Sequence, residues 1–286
     1  MQLSFRPKRL SKTKTILLVG AIVCLLLLPI AMDSRLLIRT YTLDAPEITA
    51  PVRIALVTDL HSCYYGDNQS QLIETVAEQS PDLLLLGGDI FDDEIPDANT
   101  ETFLAGIAGK YPCYYVTGNH ECWSGVDGFA AQMAILQKYG IPVLCGTYDT
   151  VTVNGQVIHI CGVDDPEIRC IDSGSPSFDD QLTVANQAAQ SGNFTILLSH
   201  RPERFAAYAA FDFDLVLCGH AHGGQWRIPY LLNGLIAPNQ GLFPKYAGGL
   251  YEQNETTMIV SRGLARESTW VPRIFNRPEL VIVEIQ

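Results

Sequence analysis

The 286-residue sequence has no internal repeat, no low-complexity tract and no C-x-x-C motif. The first two absences favour a single folded domain over a repeat array or a disordered chain. Of the eight cysteines, Cys24 lies in an apolar segment, which leaves an odd number for the rest. Burial as small hydrophobic side chains explains them more simply than a disulfide framework does, although an exported domain is compatible with one or two bridges.

Basic residues are scarce once the first 32 residues are set aside. That part contains five of the 19 Lys and Arg residues and none of the 31 Asp and Glu residues, so the remainder has a net charge of −17. Proteins that bind nucleic acid usually present a basic stripe to the phosphates. The sequence therefore predicts no nucleic-acid partner, whereas acidic clusters that bind cations remain possible.

Charge is missing altogether from residues 15–32, which read TILLVGAIVCLLLLPIAM. A segment of this length is enough to cross a hydrocarbon core of roughly 30 Å. A cleavable signal peptide is the alternative, but its apolar region is usually shorter, and Ala31-Met32-Asp33 is not an A-x-A-like cleavage site. The segment is therefore predicted to be a transmembrane anchor.

The basic residues also predict the orientation of this anchor, because Lys and Arg stay on the cytoplasmic side. Two follow it closely, Arg35 and Arg39, and five precede it: Arg6, Lys8, Arg9, Lys12 and Lys14. We therefore expect a single-pass protein of the cell membrane whose main domain is extracytoplasmic. The predicted division is a basic cytoplasmic tail over 1–14, the anchor over 15–32, a tether and first strand over 33–50 and the main domain over 51–286.

Short apolar runs that end in Gly, Asp, Asn or His predict buried strands in the main domain. They read IALVTDLH, DLLLLGGD, CYYVTGNH, VIHICGVDD, TILLSH, DLVLCGHAH and, at the end, ELVIVEIQ. Helical periodicity between them predicts helices over 71–80, 127–139 and 181–190. Alternating strands and helices indicate an α/β sandwich with helices outside.

Potential ligands for metal ions follow the predicted strands. Five of the six histidines lie at or just past a strand end, as do Asp59, Asp89 and Asn119. Ligand sites in α/β sheets form outside the carboxyl ends of strands. The pairs Asp59/His61 and His220/His222 are two apart, and in extended backbone such residues project from one face, so each pair is expected to point into one pocket. Imidazole and carboxylate both bind divalent first-row metals.

These residues form five blocks in a fixed order: D-L-H at 59–61, G-D-I-F-D at 88–92, G-N-H-E at 118–121, His200 and G-H-A-H at 219–222. The series resembles the signature of the calcineurin-like metallophosphoesterase superfamily, D-x-H, G-D-x-x-D, G-N-H-[DE], H, G-H-x-H. The extension to Gly-Gly-Gln at 223–225 and the ending SRGLARE…RPELVIVEI resemble its transmembrane subgroup, which includes proteins similar to UDP-2,3-diacylglucosamine pyrophosphatases. The resemblance implies a four-layer α/β/β/α sandwich of two mixed sheets behind the N-terminal transmembrane helix.

The resemblance also implies two divalent metal ions, for which nitrogen and oxygen ligands suit manganese, iron or zinc. Asp89 would bridge both ions. The remaining ligands would be Asp59, His61 and His222 for the first ion, and Asn119, His200 and His220 for the second.

Two residues would act in catalysis rather than as ligands. The resemblance places His120 beside the phosphate, where an imidazolium stabilises developing charge or protonates the leaving oxygen. Asp92 would orient it. Asp164 and Asp165 are expected to be solvated turn residues, His159 a core or edge residue, and Arg201 either a phosphate contact or a structural ion pair.

The sequence thus predicts metal-dependent hydrolysis of a phosphoester, phosphodiester or pyrophosphate. The alternative is a noncatalytic exported module that binds metal or an anion, and retention of both His120 and Asp92 favours catalysis. The anchor and the apolar residues between 223 and 251 indicate a membrane-associated or lipid-linked substrate. One point opposes a UDP-diacylglucosamine substrate: nucleotide-activated lipid precursors are made on the cytoplasmic side.

Overall fold

The computed structural model describes residues 11–266 and 271–286, and within them the chain alternates between strands and helices. The strands are β1 Leu37–Leu43, β2 Val52–Val57, β3 Leu83–Gly87, β4 Cys113–Val116, β5 Thr147–Val153, β6 Gln156–Gly162, β7 Thr195–Leu198, β8 Leu215–Cys218, β9 Ile236–Ala237, β10 Gly241–Leu242, β11 Gly249–Gln253, β12 Thr256–Val260 and β13 Glu279–Ile285. The helices are α1 Lys12–Ala31, α2 Ser70–Gln79, α3 Ala98–Ile107, α4 Asn119–Trp123, α5 Gly125–Lys138, α6 Ile168–Ile171, α7 Phe178–Ala185 and α8 Phe205–Tyr208.

Two large sheets contain most of the described strands. The first has the order β1-β13-β2-β3-β4, in which β13 is antiparallel to β2 and the other neighbours are parallel. The second has the order β11-β12-β8-β7-β6-β5, with a parallel centre and an antiparallel strand at each edge. Both sheets are mixed, as predicted.

The two sheets pack face to face, and helices cover their outer faces. One cluster of buried side chains joins Ile54 and Leu85 of the first sheet to Ile196 and Leu217 of the second. A second cluster packs helices α2, α3 and α5 on the first sheet, and a third packs α7 and α8 on the second. Buried central strands explain why the sequence shows continuous apolar runs rather than alternation.

Helix α1 stands apart from these layers. Its N-cap is Ser11, whose side chain accepts a hydrogen bond from the backbone N–H of Lys14, and its apolar side chains are mostly exposed. By length and composition it is able to cross a membrane. At its end, Ala31 is buried, and its carbonyl accepts a hydrogen bond of 2.7 Å from the backbone N–H of Phe275.

The predicted strands are confirmed at each of the seven apolar runs, and the predicted helices correspond to α2, α5 and α7. Helix α7 is shorter than expected, because it ends at Ala185 and a 3₁₀ turn follows at Ala189–Ser191. Helix α3 has no counterpart in the predictions. Its buried residues Phe103, Leu104 and Ile107 lie in a segment whose other positions are small or polar.

Candidate metal centre

The predicted site residues converge at the carboxyl ends of five strands. Asp59 follows β2, Asp89 follows β3, Asn119 follows β4, His200 follows β7 and His220 follows β8. All five are buried. The parallel strands β2, β3 and β4 of one sheet and β7 and β8 of the other thus deliver their polar ends to one place, as predicted.

The backbone at this place is turned rather than extended. Asp59, His61, Asp89, His220 and His222 have φ angles of 50°, 48°, 51°, 65° and 46°. The expectation that each i, i+2 pair projects from one extended face is therefore wrong, although the residues still reach the site. Left-handed φ angles are uncommon for residues with a Cβ and concentrate where function requires a strained backbone.

Asp59, His61, Asp89 and His222 form the first cluster, and their potential ligand atoms lie within 4.8 Å of one another. The Nε2 atom of His61 lies 3.7 Å from Oδ2 of Asp89, and Nε2 of His222 lies 3.7 Å from Oδ1 of Asp59. This is the set that the sequence assigned to the first ion.

Asp89, His200 and His220 form the second cluster within the same distance limit. The Nε2 atom of His200 lies 2.9 Å from Oδ2 of Asp89, and the His200 and His220 ring centroids are 4.9 Å apart. Asp89 therefore belongs to both clusters. His220 and His222, which the spacing argument placed in one pocket, belong to different clusters.

The donor atoms of these clusters fit cations. Five buried side-chain atoms here have no hydrogen-bond partner within residues 11–266 and 271–286: Asp59 Oδ2, His61 Nε2, Asn119 Oδ1, His220 Nδ1 and His222 Nδ1. Burying polar atoms without partners is costly, so a group that binds lone pairs would offset that cost. Asn119 lies next to the residue that both clusters share, since it precedes His120, whose backbone N–H donates to Oδ1 of Asp89 at 2.9 Å.

Neighbouring acceptors orient the imidazole rings. Nδ1 of His200 donates to the carbonyl of Gly87 at 2.9 Å, and Nδ1 of His61 lies 2.9 Å from Oδ2 of Asp92. Each contact holds a proton on Nδ1 and turns Nε2 of the same ring towards the cluster, as partners of metal-binding histidines do.

His220 is oriented in the opposite sense. Its Nε2 lies 2.8 Å from Oδ1 of Asn239, and an Nε2–H donor there leaves the Nδ1 lone pair free for the cluster. Oδ1 of Asn239 also accepts from Nη1 of Arg201 at 2.6 Å. Asn239 lies in the turn between β9 and β10, outside the five motif blocks, so no sequence motif indicated it.

Burial also affects the protonation of these groups. It lowers the pKa of His220 and His222 well below the ordinary histidine value, so both rings are neutral. Burial opposes protonation of His200 as well, but the adjacent Asp89 carboxylate raises the pKa of His200 to about 10. His220 and His222 thus offer free lone pairs, whereas His200 must release a proton before it binds a cation.

His120 has a different acidic partner from the predicted one. Its Nδ1 lies 2.5 Å from Oδ1 of Asp93 and 3.5 Å from Oδ2 of Asp92, which contacts His61 more closely. The prediction that Asp92 orients His120 is therefore corrected. Asp92 also accepts hydrogen bonds from the backbone N–H groups of Glu94 and Ile95, which turn its carboxylate towards His61.

The His120 side chain lies at the edge of the clusters and is partly exposed, whereas the ring of His61 is buried 4.3 Å away, centroid to centroid. On its other side the half-exposed ring of Trp123 lies 4.6 Å from His120. The Trp123 indole N–H donates to Glu167, which also pairs with Arg201. His120 is thus both held in place and accessible from outside.

Glu121 is a site residue to which the sequence assigned no role. Its fully buried carboxylate accepts five hydrogen bonds, from the backbone N–H groups of Asp89, Ile90, Phe91 and Gly118 and from the Tyr115 hydroxyl. It therefore joins the loop after β3 to the start of α4. The signal was present in the acidic fourth position of the G-N-H-E block.

A glycine is required at position 118 because the loops after β3 and β4 approach each other closely there. A Cβ atom at Gly118 would lie 2.1 Å from Oδ1 of Asp89, far inside van der Waals contact. The loops after β3 and β4 therefore meet with no room for a side chain, which brings Asn119 beside Asp89.

Some residues outside the clusters differ from expectation. Asp165 is buried and forms an ion pair with Arg201, and Asp164 is buried with hydrogen bonds to Thr117 and Gln181, so neither is a solvated turn residue. Of the two roles expected for Arg201, a phosphate contact or a structural ion pair, the structure shows the ion pair. The cysteines outside α1 are free, as favoured, but the expected burial fails for Cys145 and Cys170, which are exposed.

Comparison with known proteins identifies related sequences and folds. The family profile described as calcineurin-like phosphoesterase matches residues 52–224. An uncharacterized metallophosphoesterase of Campylobacter jejuni is 29% identical over 259 residues, which are 87% of this chain and 63% of that relative. The phosphodiesterase YaeI of Escherichia coli is 28% identical over 240 residues, which are 82% of this chain and 83% of that protein.

Among solved structures, the NAD nucleotidase of Haemophilus influenzae has a TM-score of 0.53 at 20% identity, and the match covers 76% of this chain and 46% of that one. This likeness shows a shared fold. The family profile covers more than half of the 286 residues and contains all five motif blocks. The chain belongs to the calcineurin-like phosphoesterase family.

Proposed function

We propose that the protein is a two-metal phosphoesterase that hydrolyses a phosphodiester or pyrophosphate at a membrane surface. The observation that carries this proposal is the sharing of Asp89 between two buried clusters of metal-binding side chains. A bridging carboxylate is what two ions about 3.5–4 Å apart require. A single structural ion would need neither the second cluster nor the partly exposed His120 beside it.

The two clusters have separate ligand sets in this proposal. Asp59, His61 and His222 hold the first ion, and Asn119, His200 and His220 hold the second, with Asp89 common to both. Manganese, iron and zinc all suit this set of nitrogen and oxygen donors. Such a pair of ions polarises a bound phosphate and lowers the pKa of water.

The remaining chemistry belongs to His120. Its Nδ1 is held by Asp93 at 2.5 Å, so Nε2 is the atom that exchanges a proton with the leaving oxygen. The side chain is reachable from solvent while the ligand histidines are buried, which suits a group that must meet substrate. Asp92 acts through His61 and supports the metal site.

Membrane association is supported by α1, whose described apolar side chains are mostly exposed. The proposed arrangement is a single-pass anchor with the catalytic domain outside the cytoplasm. Apolar side chains between 223 and 251 are exposed: Trp226, Ile228, Tyr230, Leu231, Ile236, Leu242, Phe243 and Leu250. They support a lipid-linked substrate, of which an acylated UDP-sugar is the specific candidate.

The substrate is tested by comparing kcat/KM for an acylated UDP-sugar, its deacylated counterpart and a soluble aryl phosphodiester. Each is assayed with manganese, iron or zinc, and Asp89→Ala serves as the inactive control. We expect the acylated substrate to be preferred. Equal values for all three would withdraw the lipid part of the proposal, and no metal-dependent hydrolysis of any would overturn the proposal itself.

A further inference from the structure

An open cavity of about 570 Å³ lies beside the end of α1, and we call its lining the anchor-side surface. Arginine side chains from three separate segments line it, together with an apolar turn over residues 228–232. The arginines are Arg39 of β1, Arg227 just before that turn and Arg262 after β12.

The apolar turn projects away from the protein. Tyr230 is fully exposed, Leu231 is 84% exposed, and Ile228 is about half exposed. The turn is nevertheless ordered by its own backbone, since the N–H groups of Leu231 and Leu232 donate to the carbonyl of Ile228. A fixed turn that exposes several large apolar side chains indicates contact with another apolar phase.

The charge of the surface is opposite to that of the domain, which is strongly acidic overall. Arg39 and Arg262 share one carboxylate, the buried Glu279. Among the described residues Arg227 contacts no carboxylate, and donates instead to the carbonyl of Gly223 and to Asn233. Arg227 and Arg262 line the same cavity, where their like charges repel each other. Burial, and after it this like charge, lower the pKa of Arg227 to about 10. A bound anion would relieve that repulsion.

The position of the surface relates it to the membrane anchor. Phe275 lines the cavity, and its backbone N–H donates to the carbonyl of Ala31, the last residue of α1. Ile274, next to it, pairs with Trp226, and the N–H of Arg227 donates to the carbonyl of Ile274 at 2.9 Å. Only two backbone contacts therefore separate the end of the anchor from the apolar turn.

We propose that the anchor-side surface docks on the bilayer, where the arginines bind the phosphate groups of anionic phospholipids and the apolar turn enters the interface. Interfacial segments combine apolar side chains with basic residues in this way. The inference rests on the membrane association given above.

The test uses the metal-loaded full chain in vesicles of phosphatidylcholine, with or without phosphatidylglycerol, whose acyl chains are brominated near the headgroup. Bromine quenches nearby tryptophan, and Trp226 lies at the base of the turn with its ring partly exposed. We expect bromination to quench the wild-type protein and Trp226→Phe to lose most of that effect. Quenching should be stronger with phosphatidylglycerol.

Two matched pairs of exposed substitutions assign the contributions. Arg39→Gln should lose the extra quenching given by phosphatidylglycerol, and Arg169→Gln on α6 should not. Leu231→Ser should weaken quenching in both lipids, and Val184→Ser on α7 should not. Equal quenching of wild type and Trp226→Phe would overturn the docking surface. Equal quenching by both lipids would overturn the headgroup assignment.

Quenching is measured without substrate, so the docking proposal and the proposed hydrolase activity are tested independently. An inactive protein that is quenched through Trp226 would refute the proposed activity alone. An active protein that is not quenched through Trp226 would refute the surface alone.

Discussion

At the scale of single residues, the structure distinguishes the roles of two neighbouring aspartates, which the sequence alone does not distinguish. Asp92 and Asp93 are adjacent, yet Asp92 contacts His61 and Asp93 contacts His120. The family motif includes the first of them, and nothing in the spacing shows which histidine each carboxylate meets. The course of the backbone after β3 decides it, through the hydrogen bonds that Asp92 accepts from Glu94 and Ile95.

Because the two aspartates contact different histidines, two similar substitutions should have different effects. Asp93→Asn should lower kcat and leave the metal content unchanged, because Asp93 orients a group that acts on substrate. Asp92→Asn should lower metal affinity by about 10–100-fold, because it supports the ligand His61. Metal titration and steady-state kinetics on both variants measure this. Two variants with the same defect would contradict the separation.

His120→Ala should keep its metals and lose ~10²–10⁴ in kcat, the usual contribution of a positioned proton donor. Elemental analysis and kinetics on the same preparation measure the metal content and kcat separately. Loss of metal from His120→Ala would show that His120 is itself a ligand. Trp123→Phe, which keeps an aromatic ring beside His120, serves as the nearby control and should keep its metals as well.

The bridging residue should matter more than any other ligand. Asp89→Ala removes a ligand from both clusters, so the purified variant should contain almost no metal, while Asn119→Ala should lose mainly one ion. The exposed Asp179→Ala is the control and should match wild type. Elemental analysis that still finds two ions in Asp89→Ala would refute the bridging role.

At the scale of elements, Glu121 connects the loop after β3 to α4. Glu121→Gln replaces an acceptor of five hydrogen bonds by an amide whose nitrogen faces donors, so the free energy of unfolding should fall by about 2–3 kcal/mol. Tyr115→Phe removes one of the five and should cost about 1 kcal/mol. Urea unfolding of both variants measures this, and equal losses would contradict a shared acceptor.

The sequence predicted the strands and the residues that follow them because buried parallel strands leave a plain pattern of apolar runs. It did not predict α3, whose apolar face of Phe103, Leu104 and Ile107 is short and includes Gly106. It also predicted extended pairs where left-handed turns occur, as at Asp59 and His61. Contacts such as His220 with Asn239 depend on long-range folding, which local pattern does not encode.

At the scale of the whole molecule, the position of the domain relative to the membrane is the open prediction. Basic residues before the apolar segment 15–32 outnumber those soon after it, so the domain should be outside the cytoplasm. A reporter fused after Gln286 that works only when exported should be active, and one that works only in the cytoplasm should not. The opposite pattern would reverse the topology and remove the objection to a cytoplasmic lipid precursor.

The strand order of the first sheet has a consequence for biosynthesis. Strand β13 lies between β1 and β2, and Arg39 of β1 contacts Glu279 of β13 across 240 positions of sequence. During translation, β1 and β2 emerge early but lack their common neighbour until residues 279–285 leave the ribosome. Closing so long a loop is slow and leaves strand edges open meanwhile. The strand next to the anchor therefore waits longest for its partner, and nascent chains of this protein should depend on chaperones until β13 has emerged.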